Sequence, residues 1–456
     1  MDTCAPTTID ETLTSSASVL NTLVGSYLAP IDLSPLLQAN GRAFSYIAKF
    51  HPELTAFRRD LHAHPELGFE EVYTSSRVAE ALRLCGVDEV HTGIGKTGVV
   101  AVIKGTQPAK ARGDHAGLPA VAQMIGLRAD MDALQMTEHN AFGWKSSRPG
   151  VMHGCGHDGH TTMLVGAARY LAETRNFAGD AVLVFQPAEE GRGGASAMID
   201  DGLFERFPVQ AIYAMHNWPA MPCGTIGLNA GPMMAAADRI TITVTGKGGH
   251  GAHAYLTVDP VLVAAHLITA MQSIVSRNVK AMDSAVISIC AVQAGDLSSM
   301  SVVPDTATLV GTVRTFKPAV QDLVQRRLHE LCAAVAQGFG ATATVKYERI
   351  YPATINSFAE FAMAAAVADQ LVGPENVVRD LEPSMGSEDF SFMLKVKPGA
   401  YLRLGQGEPL LDGNGSDAGG AGSRFLHNSC YDFNDTVLPL GSALFAGIVE
   451  RSLPLI

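Results

Sequence analysis

Residues 181–191 read AVLVFQPAEEG, a short apolar run that ends on two acids and a glycine. The same kind of run recurs in GVVAVIKG (98–105), IGLRAD (125–130) and AIYAMH (211–216), with helical patterns between them. Strands that alternate with helices imply parallel βαβ units. The fold expected is therefore α/β, built on a central, mostly parallel sheet. In such a sheet the loops beyond the carboxyl ends of the strands converge on a crevice where ligands bind. Glu189 and Glu190 follow one predicted strand, His216 ends another, and Asp130 and Asp132 of LRADMD end a third. Cys155 and His157, in HGCGHDGH, stand immediately before a helical pattern. Separate chain segments thus bring His, Cys, Glu and Asp to one predicted edge.

Around this core the chain divides unevenly. Residues 1–50 read as an N-terminal extension, with weak helical patterning around Leu20 to Leu28 and no assignable chemistry. From Leu54, LTAFRRDLHAHPEL and TSSRVAEALRLCG have helical spacing, with Gly86 as a stop. The Pro/Gly/Ala-rich stretch TQPAKARGDHAGLPAVAQM (106–124) reads as a surface loop.

A different rhythm occupies 235–351. RITITVTG alternates with period two, and DPVLVAAHLITAMQSIVSR is a helix opened by Asp259 as N-cap and Pro260 at its first position. AVISICAV, TATLVGTV, the helix AVQDLVQRRLHELCAAVAQGFG and ATVKYE complete a β-α-β-β-α-β order, the ferredoxin-like arrangement. Residues 51–234 and 352–456 are then two parts of one domain that carries this unit as an insertion.

Bulk properties exclude several classes. A chain of 456 residues is long enough for two or three domains, and 47% hydrophobic content without low-complexity tracts suits a globular protein. A net charge of −12 and the lack of a basic stripe argue against nucleic acid. No uncharged apolar run reaches about 18 residues, so no membrane span is expected. The opening MDTCAPTTIDETL lacks the basic and apolar regions of a signal peptide, which points to the cytoplasm. Seven scattered cysteines argue against a disulfide framework.

Residue types alone leave Cys155 open as an inert buried thiol, a nucleophile or a metal ligand. Its Cys-Gly-His spacing lacks the CxxC of redox motifs. A thiolate among imidazoles and a carboxylate suits a borderline divalent ion such as zinc, manganese, cobalt or nickel, which favours the ligand. His62, His64, His91 and His139 carry no expected role, and His153 stays unassigned.

The motifs MHGCGHDGH, FQPAEEG, MHNWP, GKGGHGAH, GSEDFSF and LHNSCYDFND, in this order, resemble the metal-dependent amidohydrolases of the M20 peptidase family. The nearest branch holds hippurate hydrolases, N-acyl-amino-acid aminoacylases and plant indole-acetyl-amino-acid hydrolases. The resemblance runs from about Phe57 to the C-terminus. It implies two divalent ions per subunit (Zn, Mn, Co or Ni), ligated by Cys155, His157, Glu190, His216 and His427, with Cys155 between them. It implies Glu189 as general acid/base, and His250 of the inserted lid as an oxyanion donor reaching across a dimer. Arg314 in GTVRTF would clamp the substrate carboxylate through bidentate hydrogen bonds, with Asn278 nearby. Asp130, Asp158 and His160 would orient ligands from behind. The lid domain would also dimerise the chain.

Three positions depart from the family pattern: Gln135 in place of proline, Tyr255 in place of histidine, and a long glycine-rich stretch before His427. The expected function is hydrolysis of N-acyl or N-aroyl amino acids to a carboxylic acid and an amino acid. A dipeptidase or carboxypeptidase of the same fold, a non-catalytic metal-binding protein and a thiol enzyme using Cys155 are the alternatives.

Overall fold

The computed structural model of the protein describes residues 36, 39–107, 123–407 and 424–455. The patterning around Leu20 to Leu28, all but the ends of the 106–124 loop, and the glycine-rich stretch before His427 lie outside them. The described chain forms two compact units. One comprises the described residues up to Gly231, Asn356–Leu381 and the chain from Met393; the other is Pro232–Ile355 with Glu382–Phe392.

An eight-stranded sheet organises the first unit. Its strands lie in the order Glu89–Ile94, Gly98–Lys104, Asp180–Gln186, Met124–Asp130, Ala211–Pro222, Gly399–Gly407, Ile226–Gly227 and Val377–Val378. The four central strands, 180–186, 124–130, 211–222 and 399–407, are mutually parallel. Helices cover both faces of such a sheet, so its strands read as unbroken apolar runs rather than alternating ones, and 180–186 is buried from Ala181 onward. The 98–104 run, expected among the parallel units, pairs antiparallel with both of its neighbours. Only Gly95–Thr97 separate it from Glu89–Ile94, and a connection that short makes a hairpin, not a crossover.

Helix His157–Thr174 is buried along nearly its whole length. It packs against helices His51–Ala63 and Leu438–Ser452 as well as against the sheet, which explains its lack of a polar face. Phe57, Leu61, Leu164, Leu171, Phe185, Leu444 and Ile448 fill this core, and Ile47 and Phe50 from the preceding segment join it.

The second unit carries a four-stranded antiparallel sheet ordered Ala285–Ala294, Thr306–Thr315, Ala236–Thr245, Thr342–Tyr351. Together with helices Pro260–Arg277 and Pro318–Gly338 it realises the β-α-β-β-α-β order. Burial alternates along 306–315 because one face meets the helices and the other does not. Ile240, Ile242, Val244, Leu267, Leu309, Val324 and Leu328 make its separate core. The 260–277 helix starts as its sequence dictates: the Asp259 carboxylate accepts from the Val261 and Leu262 N–H groups, and Pro260 follows. Removing that cap by Asp259→Ala should lower the stability of this unit by about 0.5–2 kcal/mol, read as a lower urea midpoint at unchanged slope.

Candidate metal centre

The donor residues collect where the parallel strands end. Strand 124–130 delivers Asp130 and, just beyond, Asp132; strand 180–186 leads through Pro187 and Ala188 to Glu189 and Glu190. His216 and Asn217 lie within strand 211–222, and Cys155 and His157 flank the start of helix 157–174. His427 enters on the C-terminal segment, its N–H donating to the Gly154 carbonyl at 2.7 Å. The turn into the helix is made at Gly156, where φ is +91° and a Cβ would sit 2.5 Å from both Asn217 Oδ1 and Tyr431 Oη. Only glycine meets both conditions.

Cys155 belongs to two groups of donor atoms at once. Its Sγ lies with one nitrogen each of His157 and His216 in one group, and with Glu190 and a His427 nitrogen in the other, all atoms of a group within 4.8 Å of one another. Cys155 Sγ is 3.4 Å from His216 Nε2, and His427 Nε2 is 3.4 Å from Glu190 Oε1. A further group joins His157 to Glu189 and Glu190. All five expected ligands and Glu189 are therefore neighbours.

The histidines are aimed by their other nitrogens. His157 Nδ1 lies 2.9 Å from the Asp132 carbonyl and 3.3 Å from its carboxylate, leaving Nε2 buried with no hydrogen-bond partner among the described residues. His216 Nδ1 lies 2.7 Å from the Asn217 carbonyl, which turns Nε2 toward the thiol. A nitrogen anchored to a carbonyl or carboxylate fixes the tautomer and presents the opposite lone pair. Burial, reinforced by nearby His160, holds His216 well below its usual pKa, so it is a neutral donor. Burial and the Glu190 charge raise the Cys155 thiol, while bonds to Cys155 and Glu190 push His427 up to about 10. Burial, the thiol and the neighbouring carboxylates thus act on one another across the donor cluster.

Asp132 is the hub that sequence reasoning left without a role. Its Oδ1 accepts the Glu189 N–H and its Oδ2 accepts the Glu190 N–H, both at 3.0 Å, while its carbonyl holds His157. Residue spacing gives no sign of side-chain bonds to the backbone of another loop. Behind it, Asp130 pairs with Arg128 Nη1 at 2.8 Å and His160 Nδ1 at 2.6 Å. Although burial would raise its pKa, the charges of His157, Arg128 and His160 keep Asp130 ionised. His160 Nε2 in turn meets Asn217, so His160 braces the chain next to His216.

Asp158 joins a different network. It pairs with His62 Nδ1 at 2.8 Å and lies 3.6 Å from Arg58, whose guanidinium also reaches Asp432 and Asp435. His62 contacts Glu138 as well, and these bonds outweigh burial to raise it to about 9. His153 is buried beside His62, with neither ring nitrogen bonded among the described residues.

Three expected site residues lie in the second unit. His250 is exposed, and its Nδ1 accepts the Ala252 N–H at 3.1 Å, a turn-capping contact. Arg314 stands on the 306–315 strand with Nη1 buried and unpartnered among the described residues. Asn278 caps the end of helix 260–277 and accepts from Arg327 Nε at 3.1 Å.

The profile of peptidase family M20/M25/M40 matches residues 126–450. The chain belongs to this family. Its M20 relatives include hippurate hydrolase of Campylobacter jejuni, 40% identical over 401 residues that cover 88% of this chain and 97% of that protein. N-acetylcysteine deacetylase of Bacillus subtilis is 35% identical over 398 residues, 87% and 96% of the two chains. The crystal structure of a dinuclear metal-binding M20 peptidase from Bacillus subtilis matches with a TM-score of 0.73 at 32% identity, covering 90% of this chain and 100% of that one. The chain is a metal-dependent amidohydrolase of the M20 family, on an α/β fold with a mostly parallel sheet. Among the described residues, no helix is long and apolar enough to cross a membrane.

Asp132→Asn would replace one acceptor oxygen with a donor, and the Glu189 and Glu190 amides would no longer both be held. Hydrolysis or metal affinity should fall by about 10–100-fold, the usual effect of losing a residue that orients ligands, measured by steady-state rates and by metal analysis of the same preparation.

Proposed function

We propose that the chain hydrolyses the amide bond of N-acyl or N-aroyl amino acids, hippurate-like substrates, releasing a carboxylic acid and a free amino acid. The observation that carries this reading is the thiol of Cys155 standing in both donor groups, with His157 and His216 on one side and Glu190 and His427 on the other. We assign these five residues as the ligands of two divalent ions. The buried His157 Nε2, which has no hydrogen-bond partner among the described residues, fits a ligand, and a set of one thiolate, three imidazoles and one carboxylate suits zinc, manganese, cobalt or nickel. Bound there, the ions supply Lewis-acid polarisation of the amide carbonyl and acidify the attacking water.

The chain's own groups do the rest. Glu189 takes the proton of the water as its oxygen adds to the carbonyl carbon, then delivers that proton to the nitrogen as the C–N bond breaks. The Asp132 contacts fix the backbone that carries it. Arg314 receives the substrate carboxylate, a role supported by its buried Nη1, which has no hydrogen-bond partner among the described residues. On the family resemblance we assign Asn278 to the amino-acid half of the substrate and His250 of a second copy to the oxyanion. The same resemblance supports a homodimer formed through the inserted unit, acting in the cytoplasm without nucleic-acid or membrane partners. The relatives named for hippurate and N-acetylcysteine support the substrate class.

Chelation should abolish hydrolysis of hippurate and N-acetyl-methionine, and zinc, cobalt or manganese should restore it; activity that survives chelation would point to thiol chemistry at Cys155. Glu189→Gln should lower kcat by about 10²–10⁴-fold with bound metal nearly unchanged. Efficient cleavage of dipeptides without turnover of any acyl-amino acid would assign the enzyme to peptides instead.

A further inference from the structure

The loop that carries Glu189 and Glu190 is bent through a backbone conformation its sequence does not favour. Ala188 has φ +55° and ψ +44°, the left-handed region that a residue with a Cβ enters only under strain. Strain of this kind persists only where the surroundings over-determine it, and it collects at functional sites. Phe69 and Lys96, at φ +65° and +79°, are strained in the same way.

The carboxylate of Glu71 is where these three segments meet. Its Oε1 accepts the Ala188 N–H at 2.8 Å, and its Oε2 accepts the hydroxyl of Thr97, the residue after Lys96, at 2.5 Å. Glu71 itself follows Phe69 by two positions and has 0% exposure. The contact is close all round: Arg192 Nη1 donates to the Gly68 carbonyl at 2.8 Å, and a Cβ on Gly68 would come within 2.9 Å of Ala188 Cα. An acid is costly to bury, and burial pushes this one up to about 7. Leucine or methionine would fill the space without that cost, so the carboxylate is present for what it accepts.

Three successive amides, of residues 188, 189 and 190, are thus pinned by two carboxylates from separate segments, the first by Glu71 and the other two by Asp132. We propose that Glu71 is a positioning residue, which clamps the strained Ala188 turn and so fixes the direction in which Glu189 and Glu190 point. The motif PELGFEEVYT, which the catalytic assignment does not use, then has a purpose: it carries the clamp at the N-cap of helix Val72–Leu84. The effect on turnover rests on Glu189 being the base; the clamp itself does not.

The test compares the full-length, metal-loaded wild type with E71M and E71Q. In E71M both acceptors are lost while volume is kept. Exchange of the residue 188 amide, followed by hydrogen-exchange mass spectrometry, should rise about tenfold to a hundredfold, the range for a hydrogen bond to a charged group. kcat on hippurate should fall within the same range, with KM essentially unchanged. E71Q should stay close to wild type, because its amide oxygen can accept from Ala188 while its NH₂ donates to the Thr97 oxygen. Wild-type exchange or wild-type kcat in E71M, or equal damage in E71Q, would overturn the proposal. If E71M does not fold, T97V removes only the hydroxyl donor and should raise the same exchange less; no change would overturn the clamp. Should the wild type hydrolyse no acyl-amino acid at all, the substrate reading fails, and the exchange comparison still decides the clamp.

Discussion

A buried carboxylate that accepts two neighbouring amides constrains more than one residue. Asp132 holds the N–H groups of Glu189 and Glu190, and its own carbonyl orients His157, so two strand ends and a helix start share one point of reference. Displacing any of them moves the others. The rest of the centre is built in the same style. Asp130, His160 and Asn217 form a chain of short bonds behind His216. Preorganisation of this kind removes reorganisation from the moment of reaction, and it costs the protein a set of charges buried at the carboxyl edge of its sheet.

Those charges balance by location. Arg128 neutralises Asp130, and Arg58 with His62 serves Asp158, Asp432 and Asp435, which ties helix 51–63 to the C-terminal segment that carries His427. Around Cys155 the grouping is different: its thiol stands with His157 and His216 on one side and with Glu190 and His427 on the other, side chains of the kinds that hold metals. The contrast separates a network of ion pairs from a cluster of candidate metal donors.

Much of this was legible in the residues. Apolar runs flanked by helical patterns predicted the parallel core, and the period-two rhythm after residue 235 predicted the inserted βαββαβ unit, down to the Asp259 cap. Cys155, His157, Glu189, Glu190, His216 and His427 were singled out by motif, and the fold brings them together at one edge of the sheet. What stayed hidden depends on contacts between distant segments. The direction of strand 98–104 follows from a hairpin whose first strand, EVHTGI, is too weakly apolar to announce itself. Asp132 and Glu71 look like ordinary acids beside other acids, since their partners are backbone amides supplied by another loop. Within their own unit, His250 accepts a turn amide and Asn278 follows the end of a helix, contacts that motif reading does not show.

The order of the chain has a consequence for how the protein comes into being. Strand 399–407 lies beside 211–222 at the middle of the first sheet, yet the whole inserted unit is synthesised between them. The inserted unit has its own core and local connections, so it can fold while the flanking sheet is still incomplete on the ribosome. The sheet must wait with an open edge along 211–222, the strand that bears His216. His427 emerges later still, so the group of Cys155, Glu190 and His427 is completed only after strand 399–407 has been made. Assembly of that group thus waits on the joining of the two halves of the sheet, and no partial domain made before strand 399–407 contains it.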